Sequence, residues 1–245
     1  MKLFKELTYK AFGDKAILIE WPVKIDPEIL EDIIQLKSKI ESELSSEIEE
    51  VVIAYNSITI IFKCSINHLD ETIEVFKNLH LSESKINHHI KSLWKIPVCY
   101  DTTFGLDLEV LSETLQLSKE EIITLHTQPQ YTVYFIGFLP GFLYLGGLDE
   151  RLTMPRKATP RLQVEQGSVA IGGSQTGIYP MESAGGWNLI GKTPVPFFDS
   201  SKDNPCFAKS GDTIQFVPIS MKEYKKICLE VEAGVYELEN TLLHD

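Results

Sequence analysis

The sequence predicts an α+β protein of two domains, and two patterns carry this prediction. Residues 1–95 arrange apolar strands and amphipathic helices in the order β-α-β-β-α-β, which is typical of a ferredoxin-like domain. From Tyr131 onward the strands become short and are interrupted by glycine and proline, which indicates an antiparallel barrel or sandwich. We therefore predict a small α+β domain over residues 1–95 and a β-domain over residues 96–245.

Hydrophobic periodicity defines the elements of the first domain. Apolar residues at helical spacing predict two helices, Pro27–Leu44 and Leu69–Leu79. Apolar or alternating runs predict strands, and Asn56-Ser57 between two of these runs predicts a hairpin. The predicted strands are Ala16–Trp21, Val51–Tyr55, Ile58–Phe62 and His89–Val98.

The second domain is predicted to begin with two short helices. One covers Leu106–Leu115, and the other begins at Ser118, where Ser118-Lys-Glu-Glu121 forms a capping box. This second helix carries His126, which the sequence allows as a buried core histidine or as a cleft residue. The predicted strands that follow are Tyr131–Phe138, Val164–Ile171, Asn188–Ile190 and Thr213–Pro218.

Composition excludes several classes of function. A net charge of −12 and a pI near 5.0 disfavour nucleic acid and anionic membranes as partners. We expect no signal peptide and no membrane span, because charged residues follow Met1 closely and no apolar run approaches about 20 residues. We therefore expect a cytoplasmic protein. The four cysteines form no C-x-x-C pair, so no metal site is predicted.

The arginines form the most unusual feature of the second domain. All three, Arg151, Arg156 and Arg161, lie within eleven residues, whereas the other basic residues are lysines. The guanidinium group binds carboxylate or phosphate in a bidentate way, which lysine cannot do. Eleven of the fifteen glycines lie in the surrounding stretch from Gly137 to Gly191. Arginine beside tightly turned backbone predicts an anion-binding or interface site, and the alternative is a set of salt bridges.

One motif imitates a nucleotide-binding loop. Gly186–Thr193 satisfies the expression G-x-x-x-x-G-K-[ST]. A phosphate-binding loop needs an apolar strand before it and a helix that begins at its lysine. Here glycines precede the motif, and Pro194 and Pro196 prevent a helix directly after it. We therefore predict that this segment is not a nucleotide-binding loop.

Two further segments supply candidate site residues. Gln175, Thr176 and Tyr179 are polar groups on a glycine-rich turn, where they either orient a polar ligand or satisfy the turn's own backbone. Aromatic residues around a Pro-Gly turn form either a hydrophobic plug or the apolar wall of a pocket. The candidates for such a wall are Pro140, Phe142, Tyr144 and Trp187. The sequence identifies no catalytic residue.

Five ordered segments of the second domain carry a resemblance, and they are Gly137–Asp149, Met154–Arg156, Thr159–Arg161, Gly167–Pro180 and Gly185–Gly191. Together they resemble the family of 5-oxoprolinase B subunits, whose members are also called allophanate hydrolase subunit 1 or KipI-like. The resemblance implies a small N-terminal α+β domain followed by a cyclophilin-like β-barrel domain. A shared barrel does not imply a shared activity, and prolyl isomerase activity is not expected.

The resemblance also implies a function. Members of the family act with the A and C subunits of the enzyme, of which the latter is carboxyltransferase-like, to open 5-oxoproline to glutamate with ATP and Mg. Phosphorylation of the lactam oxygen requires positive charge and a clamp on the substrate carboxylate. Arg156 and Arg161 match the family's two Pro-Arg motifs and are the first candidates for that role. Lys192 stands where the family more often has arginine, and Arg151 is expected to be structural.

The sequence departs from the family in two loops. The family often has Val-Pro-Ala-Gly at Val164–Gly167 and Ser-Pro-Gly-Gly at Ser183–Gly186, so two loop prolines are missing. Two alternative functions also follow from the resemblance. One is a KipI-like module that inhibits a sensor histidine kinase through an exposed aromatic groove, and the other is part of a urea-type carboxylase. The nucleotide site of the oxoprolinase is expected on a partner or at a surface shared with it.

Overall fold

The computed structural model describes residues 4, 6–82 and 90–243 of the chain. It divides into two compact units, Met1–His89 and Ile90–Asp245. The α+β class is confirmed, because each unit combines helices with a sheet. Within the described ranges, no helix is long and apolar enough to cross a membrane.

The first unit contains a four-stranded antiparallel sheet. Its strands are β1 (Thr8–Ala11), β2 (Ala16–Glu20), β3 (Ile48–Ile53) and β4 (Ser57–Phe62). They lie in the order β1-β2-β4-β3, so the predicted hairpin around Asn56-Ser57 is confirmed. Helix α1 (Pro27–Glu43) follows β2 and helix α2 (Leu69–Leu81) follows β4, close to their predicted bounds.

The prediction that His89–Val98 completes this sheet is wrong. The edge position beside β2 is taken by β1, whose residues precede the first predicted strand. The segment after α2 forms β5 (Lys91–Cys99) in the sheet of the second unit, and our boundary between residues 95 and 96 falls inside it. The start of the predicted strand, at His89, lies outside the described residues. Alternating polarity identifies a strand, but it does not identify the sheet that the strand joins.

Local sequence explains why α1 begins where it does. The Asp26 side chain accepts a hydrogen bond from the backbone N–H of Glu28, and Pro27 occupies the first turn, where its missing N–H costs nothing. Helix α1 also buries Asp32, which accepts a hydrogen bond from Trp21 Nε1 at 2.7 Å and lies 2.9 Å from His80 Nε2. This buried polar cluster is satisfied internally, so we assign it to the support of the first unit.

The second unit is built on an eight-stranded sheet. The order is β10-β9-β12-β5-β13-β6-β7, β14 pairs with β5, and β7 contacts β10, so the sheet nearly closes into a barrel. Its strands are β5, β6 (Tyr131–Ile136), β7 (Leu143–Gly146), β9 (Ser168–Gly172), β10 (Gln175–Ile178), β12 (Asn188–Lys192), β13 (Thr213–Ile219) and β14 (Asn240–Leu243). The pairing of β5 with β13 is parallel, unlike the antiparallel pairing that the sequence suggested.

The remaining elements lie around this sheet. A two-stranded ribbon joins β8 (Arg161–Val164) to β11 (Ser183–Gly185). The helical elements of this unit are α3 (Leu108–Leu115), α4 (Lys119–Thr127), a 3-10 turn (Glu150–Leu152) and α5 (Met221–Glu232). The capping box predicted at Ser118 is confirmed, because its hydroxyl accepts from Glu121 N–H while the Glu121 carboxylate accepts from Ser118 N–H.

Two predictions about the glycine-rich region had different outcomes. The single strand predicted over Val164–Ile171 is wrong, because Gly167 turns the chain at φ +82° between β8 and β9. A positive φ is readily adopted only by glycine, and here it separates two strands of different sheets. The rejection of a nucleotide-binding loop at Gly186–Thr193 is confirmed, because residues of that motif form β12.

His126 is a core residue. It is fully buried, its Nδ1 lies 2.7 Å from the Tyr100 hydroxyl, and its Nε2 lies 2.7 Å from Thr176 Oγ1. The Thr176 hydroxyl donates its hydrogen bond to the carbonyl of Ala170. Thr176 Oγ1 must therefore accept from Nε2–H of the imidazole. Nδ1 therefore accepts from Tyr100, and the neutral imidazole satisfies both neighbours.

The buried imidazole predicts a loss of stability in mild acid. Burial lowers the pKa of His126 from 6.5 to about 3, so the folded state stays unprotonated while the unfolded state binds a proton below pH 6.5. The free energy of unfolding should fall by roughly 2 kcal/mol between about pH 7.5 and about pH 5. Urea unfolding of the wild type and of His126→Gln over this range measures the effect. Equal pH dependence in both proteins would contradict it.

Candidate functional site

Five of the ten predicted site residues line one cavity in the second unit: Phe142, Tyr144, Arg156, Tyr179 and Trp187. It has a volume of about 310 Å³ and lies between the β6–β7 turn, the segment before β8, and the residues around β11. Its lining residues are Phe138, Phe142, Tyr144, Arg156, Lys157, Pro160, Tyr179, Ala184, Gly185, Gly186 and Trp187. A larger cavity of about 620 Å³ lies in the first unit and contains none of the predicted site residues.

An aromatic cluster forms the apolar wall of this cavity. Phe142 is at its centre, with ring centroids 5.8 Å from Trp187, 5.0 Å from Tyr144 and 6.2 Å from Tyr179, all in edge-on arrangements. Such pairs add roughly 0.5–1.5 kcal/mol each beyond the area that they bury. At the rim, Phe138 is 69% exposed and adopts φ +66°, a conformation that is unfavourable for a bulky residue. The wall is therefore closely packed in the interior and ends in an exposed aromatic residue.

The three arginines have different environments. Arg151 forms a bidentate pair with Asp149, with Nη2 2.6 Å from Oδ2, and it lies outside the cavity, as expected for a structural residue. Arg161 is paired with Asp107. Arg156 lies over the Trp187 ring, with Cζ 5.7 Å from the centroid, and it forms no ion pair with any residue that the structure describes. Arg156 is thus the arginine whose charge is available to a ligand.

Asp107 binds two further cations beside the cavity, Lys157 and Arg161. Its carboxylate is buried, and Oδ1 accepts hydrogen bonds from Lys157 Nζ and Arg161 Nη2, both at 2.8 Å. Oδ2 accepts from the backbone N–H of Leu189 at 2.7 Å. Burial by itself raises the pKa of Asp107, but these three hydrogen bonds outweigh it and hold the pKa below its usual value. Arg156, Lys157 and Arg161 thus bring three cations to the cavity and its edge, and the Asp107 carboxylate pairs with two of them.

Tyr179 brings a hydroxyl group to the cavity. It follows β10 and is 3% exposed, and its ring packs with Phe142 and Trp187 in one apolar cluster. Burial raises the pKa of the phenol, while a hydrogen bond from the Trp187 backbone and the charges of Arg156 and Arg161 act in the opposite direction. The phenol is therefore neutral at physiological pH.

The remaining predicted site residues are distributed differently. Phe142, Tyr144 and Trp187 line the cavity, whereas Pro140 is exposed and does not. Thr176 is buried on the side of His126, and Gln175 begins β10 away from the lining. Lys192 pairs with Glu165 and lies 5.6 Å from the centroid of Phe104, also outside the lining.

Sequence reasoning missed the residues that support the cavity. Asp107 precedes α3 and carries no motif, and Lys157 was not singled out although it follows Arg156 directly. The sequence signal for Asp107 was weak, because a single acidic residue at the start of a helix is most simply interpreted as a helix cap. In the structure the Asp107 side chain makes no capping hydrogen bond to α3. Its carboxylate accepts hydrogen bonds from Lys157 and Arg161 instead.

Two adjacent glycines give a matched test of the cavity wall. A methyl group at Gly185 would overlap the Tyr179 hydroxyl, whereas one at Gly186 would meet its nearest neighbours at an ordinary 3.6 Å. Gly185→Ala should therefore destabilise the protein by roughly 1–3 kcal/mol, the usual cost of overpacking. Gly186→Ala should remain within about 0.5 kcal/mol of the wild type. Urea unfolding of both variants measures this, and equal stability would show that the wall can relax around the added methyl.

Comparison with known proteins identifies the family. The family model described as the carboxyltransferase domain, subdomain C and D, matches residues 7–208. The chain is 36% identical over 230 residues to the 5-oxoprolinase B subunit of Bacillus subtilis, and the match covers 86% of this chain and 92% of that protein. It is 43% identical over 177 residues to the Haemophilus influenzae protein of the same name, and this match covers 70% of this chain and 79% of that protein.

A solved structure shows the same architecture in a longer chain. The crystal structure of TTHA0988 superposes with a TM-score of 0.73 at 29% identity. The match covers 84% of this chain but only 40% of TTHA0988, so this chain spans less than half of that protein's length. The family match, the two similar proteins and this shared fold agree with the resemblance of the glycine-rich segments. The chain belongs to the family of 5-oxoprolinase B subunits.

Proposed function

We propose that this chain is the B subunit of an ATP-dependent 5-oxoprolinase and helps to convert 5-oxoproline to glutamate with partner subunits. The names of its similar proteins support the reaction. The observation that carries the proposal to this chain is Arg156, an arginine without an ion-pair partner among the described residues, held over Trp187 in a small cavity.

The cavity suits the proposed substrate in size and chemistry. 5-Oxoproline is a five-membered lactam with one carboxylate, and a cavity of about 310 Å³ is at the small end of ligand pockets. The lactam ring would pack against the aromatic wall around Phe142 and Trp187. Arg156 and Lys157 supply the positive charge that a carboxylate requires, and the guanidinium group can bind it in a bidentate way.

The loop-like motif at Gly186–Thr193 does not supply a nucleotide site. Residues of this motif form strand β12, so they cannot wrap around a phosphate as a glycine-rich loop does. In our proposal ATP and Mg therefore bind on a partner or at the surface shared with it. The partners are the A and C subunits of the enzyme, the latter carboxyltransferase-like, and this chain is inactive alone.

Within the complex, this chain would position the substrate and stabilise charge. Fixed positive groups in a site that excludes water stabilise developing negative charge, and removal of such a group typically costs about 2–4 kcal/mol. Bound ATP supplies the phosphoryl group that makes the lactam carbon reactive. The aromatic wall excludes water from the ring, and Arg156 holds the substrate at its carboxylate end.

Reconstitution tests the proposal directly. ATP hydrolysis should rise on addition of 5-oxoproline only when this chain is combined with both partners, and the products should include glutamate. An assembled complex that 5-oxoproline does not stimulate would contradict the proposal and favour another amide or carboxylated substrate. Binding to a sensor histidine kinase without either partner would favour the inhibitor alternative.

A further inference from the structure

The Tyr179 hydroxyl has an incomplete set of hydrogen bonds. The Tyr179 ring packs against Phe142 and Trp187, and its oxygen lies against Gly185. No residue in the described part of the chain accepts its proton, although the side chain is buried and lines the cavity. The ring is buried, but the hydroxyl itself is accessible from the cavity, where a bound ligand can accept its hydrogen bond. An acceptor for the Tyr179 hydroxyl is therefore missing on the side of the cavity.

The surroundings of this hydroxyl are suited to an anion. Gly185 has no side chain, and any Cβ there would overlap the phenol oxygen, so only glycine allows the hydroxyl to occupy this position. The positive charges of Arg156 and Arg161 both act on the phenol. A neutral donor beside cations favours a negatively charged acceptor over a neutral one, because hydrogen bonds to charged groups are about twice as strong as neutral ones.

We propose that Tyr179 determines specificity for an acidic lactam, by donating its O–H hydrogen bond to the substrate carboxylate beside Arg156. This inference rests on the proposed function, because it assigns an atom of 5-oxoproline to an atom of the cavity. Trp187 packs with the Tyr179 ring in one cluster and carries Arg156 over its own ring face, so one residue contacts both donors.

This role predicts an effect on binding and not on the chemical step. The carboxylate is present before and after the ring opens, so its hydrogen bond stabilises the bound substrate and the transition state equally. Loss of such a uniform interaction raises KM and leaves kcat unchanged. Tyr179→Phe keeps the aromatic ring and its packing with Phe142, and it removes only the hydroxyl.

The experiment compares Tyr179→Phe with the wild type in the reconstituted complex. KM for 5-oxoproline should rise roughly tenfold, as expected for one lost hydrogen bond to a charged group, while kcat stays constant. Inhibition by 2-pyrrolidinone, the same lactam without a carboxylate, should be equal in both proteins. Tyr236→Phe, which lies outside the cavity, is the matched control for the loss of a phenol hydroxyl.

The outcomes distinguish a failure of the proposed Tyr179 role from a failure of the proposed function. If the wild-type complex responds to 5-oxoproline but Tyr179→Phe keeps the same KM, the specificity role is wrong and the proposed function stands. An equal loss of affinity for 2-pyrrolidinone would also overturn it, because the hydroxyl would then contact the lactam. Gly185→Ala and Gly186→Ala provide a second pair of variants, and only the first should raise KM for 5-oxoproline.

Discussion

Arg156→Lys should lower kcat/KM of the reconstituted complex for 5-oxoproline roughly 100-fold, mainly through KM, because hydrogen bonds to a charged group contribute roughly 1.5–3 kcal/mol. The substitution keeps the positive charge but removes the planar fork that binds a carboxylate in a bidentate way and stacks on Trp187. Because Arg156 is exposed and forms no ion pair with the described residues, stability and assembly should be unchanged. Steady-state ATP hydrolysis and co-purification measure the two properties.

Arg151→Lys is the matched control for this variant. Arg151 is exposed, pairs with Asp149 and does not line the cavity, so its replacement should leave turnover within about twofold of the wild type. Full activity of Arg156→Lys would contradict the anion-binding role. An equal loss in both variants would show that the effect arises from the loop and not from the guanidinium in the cavity.

Asp107→Asn should have the largest effect on stability. The carboxylate is buried and is shared by Lys157 and Arg161, so its neutralisation leaves two cations without their counter-charge. Removal of one partner from a fully buried pair costs about 3–5 kcal/mol. Lys157 and Arg161 keep 30% and 24% of their side chains exposed, so we expect a smaller loss of roughly 2–3 kcal/mol.

Urea unfolding at about pH 7 measures the loss of stability in Asp107→Asn. The control is Asp203→Asn, at an exposed position. The pKa of Asp107 is lowered in the folded state, so its contribution is complete above the ordinary pKa of an aspartate and is lost as the pH falls below it. The difference between the wild type and Asp107→Asn should therefore narrow in acid. A constant difference from about pH 7 to about pH 3 would show that the carboxylate acts through packing and not through charge.

Local sequence correctly predicted those features that depend on neighbouring residues. The Ser118 capping box, the hairpin at Asn56-Ser57 and the rejection of a nucleotide-binding loop each depend on residues within a few positions of one another. The motif prolines and the first-turn glutamate restrict the backbone directly, so the same outcome holds whatever surrounds them. The ordered glycine-rich segments likewise identified the family before any geometry was known.

The candidate site was predicted only in part. Arg156, Tyr179 and the aromatic wall were chosen from the sequence, and the structure brings them into one cavity. Thr176 was also chosen, but strand alternation turns its side chain toward His126. The sequence could not separate these cases, because the face to which a residue points depends on the register of a strand, which its neighbours in the sheet decide.

Only the tertiary structure decided which charges are available. The partners of Asp107 are 50, 54 and 82 positions away in the chain, so no local pattern connects them. The sheet that β5 joins was decided in the same way, by pairing with β13 more than a hundred residues later. The sequence alone determined the family, the α+β class and the basic region, because these depend on composition and local motifs. Arg156 is the arginine that forms no ion pair among the described residues. The folded chain was needed to identify it, because the result depends on which carboxylates the fold brings to Arg151 and Arg161.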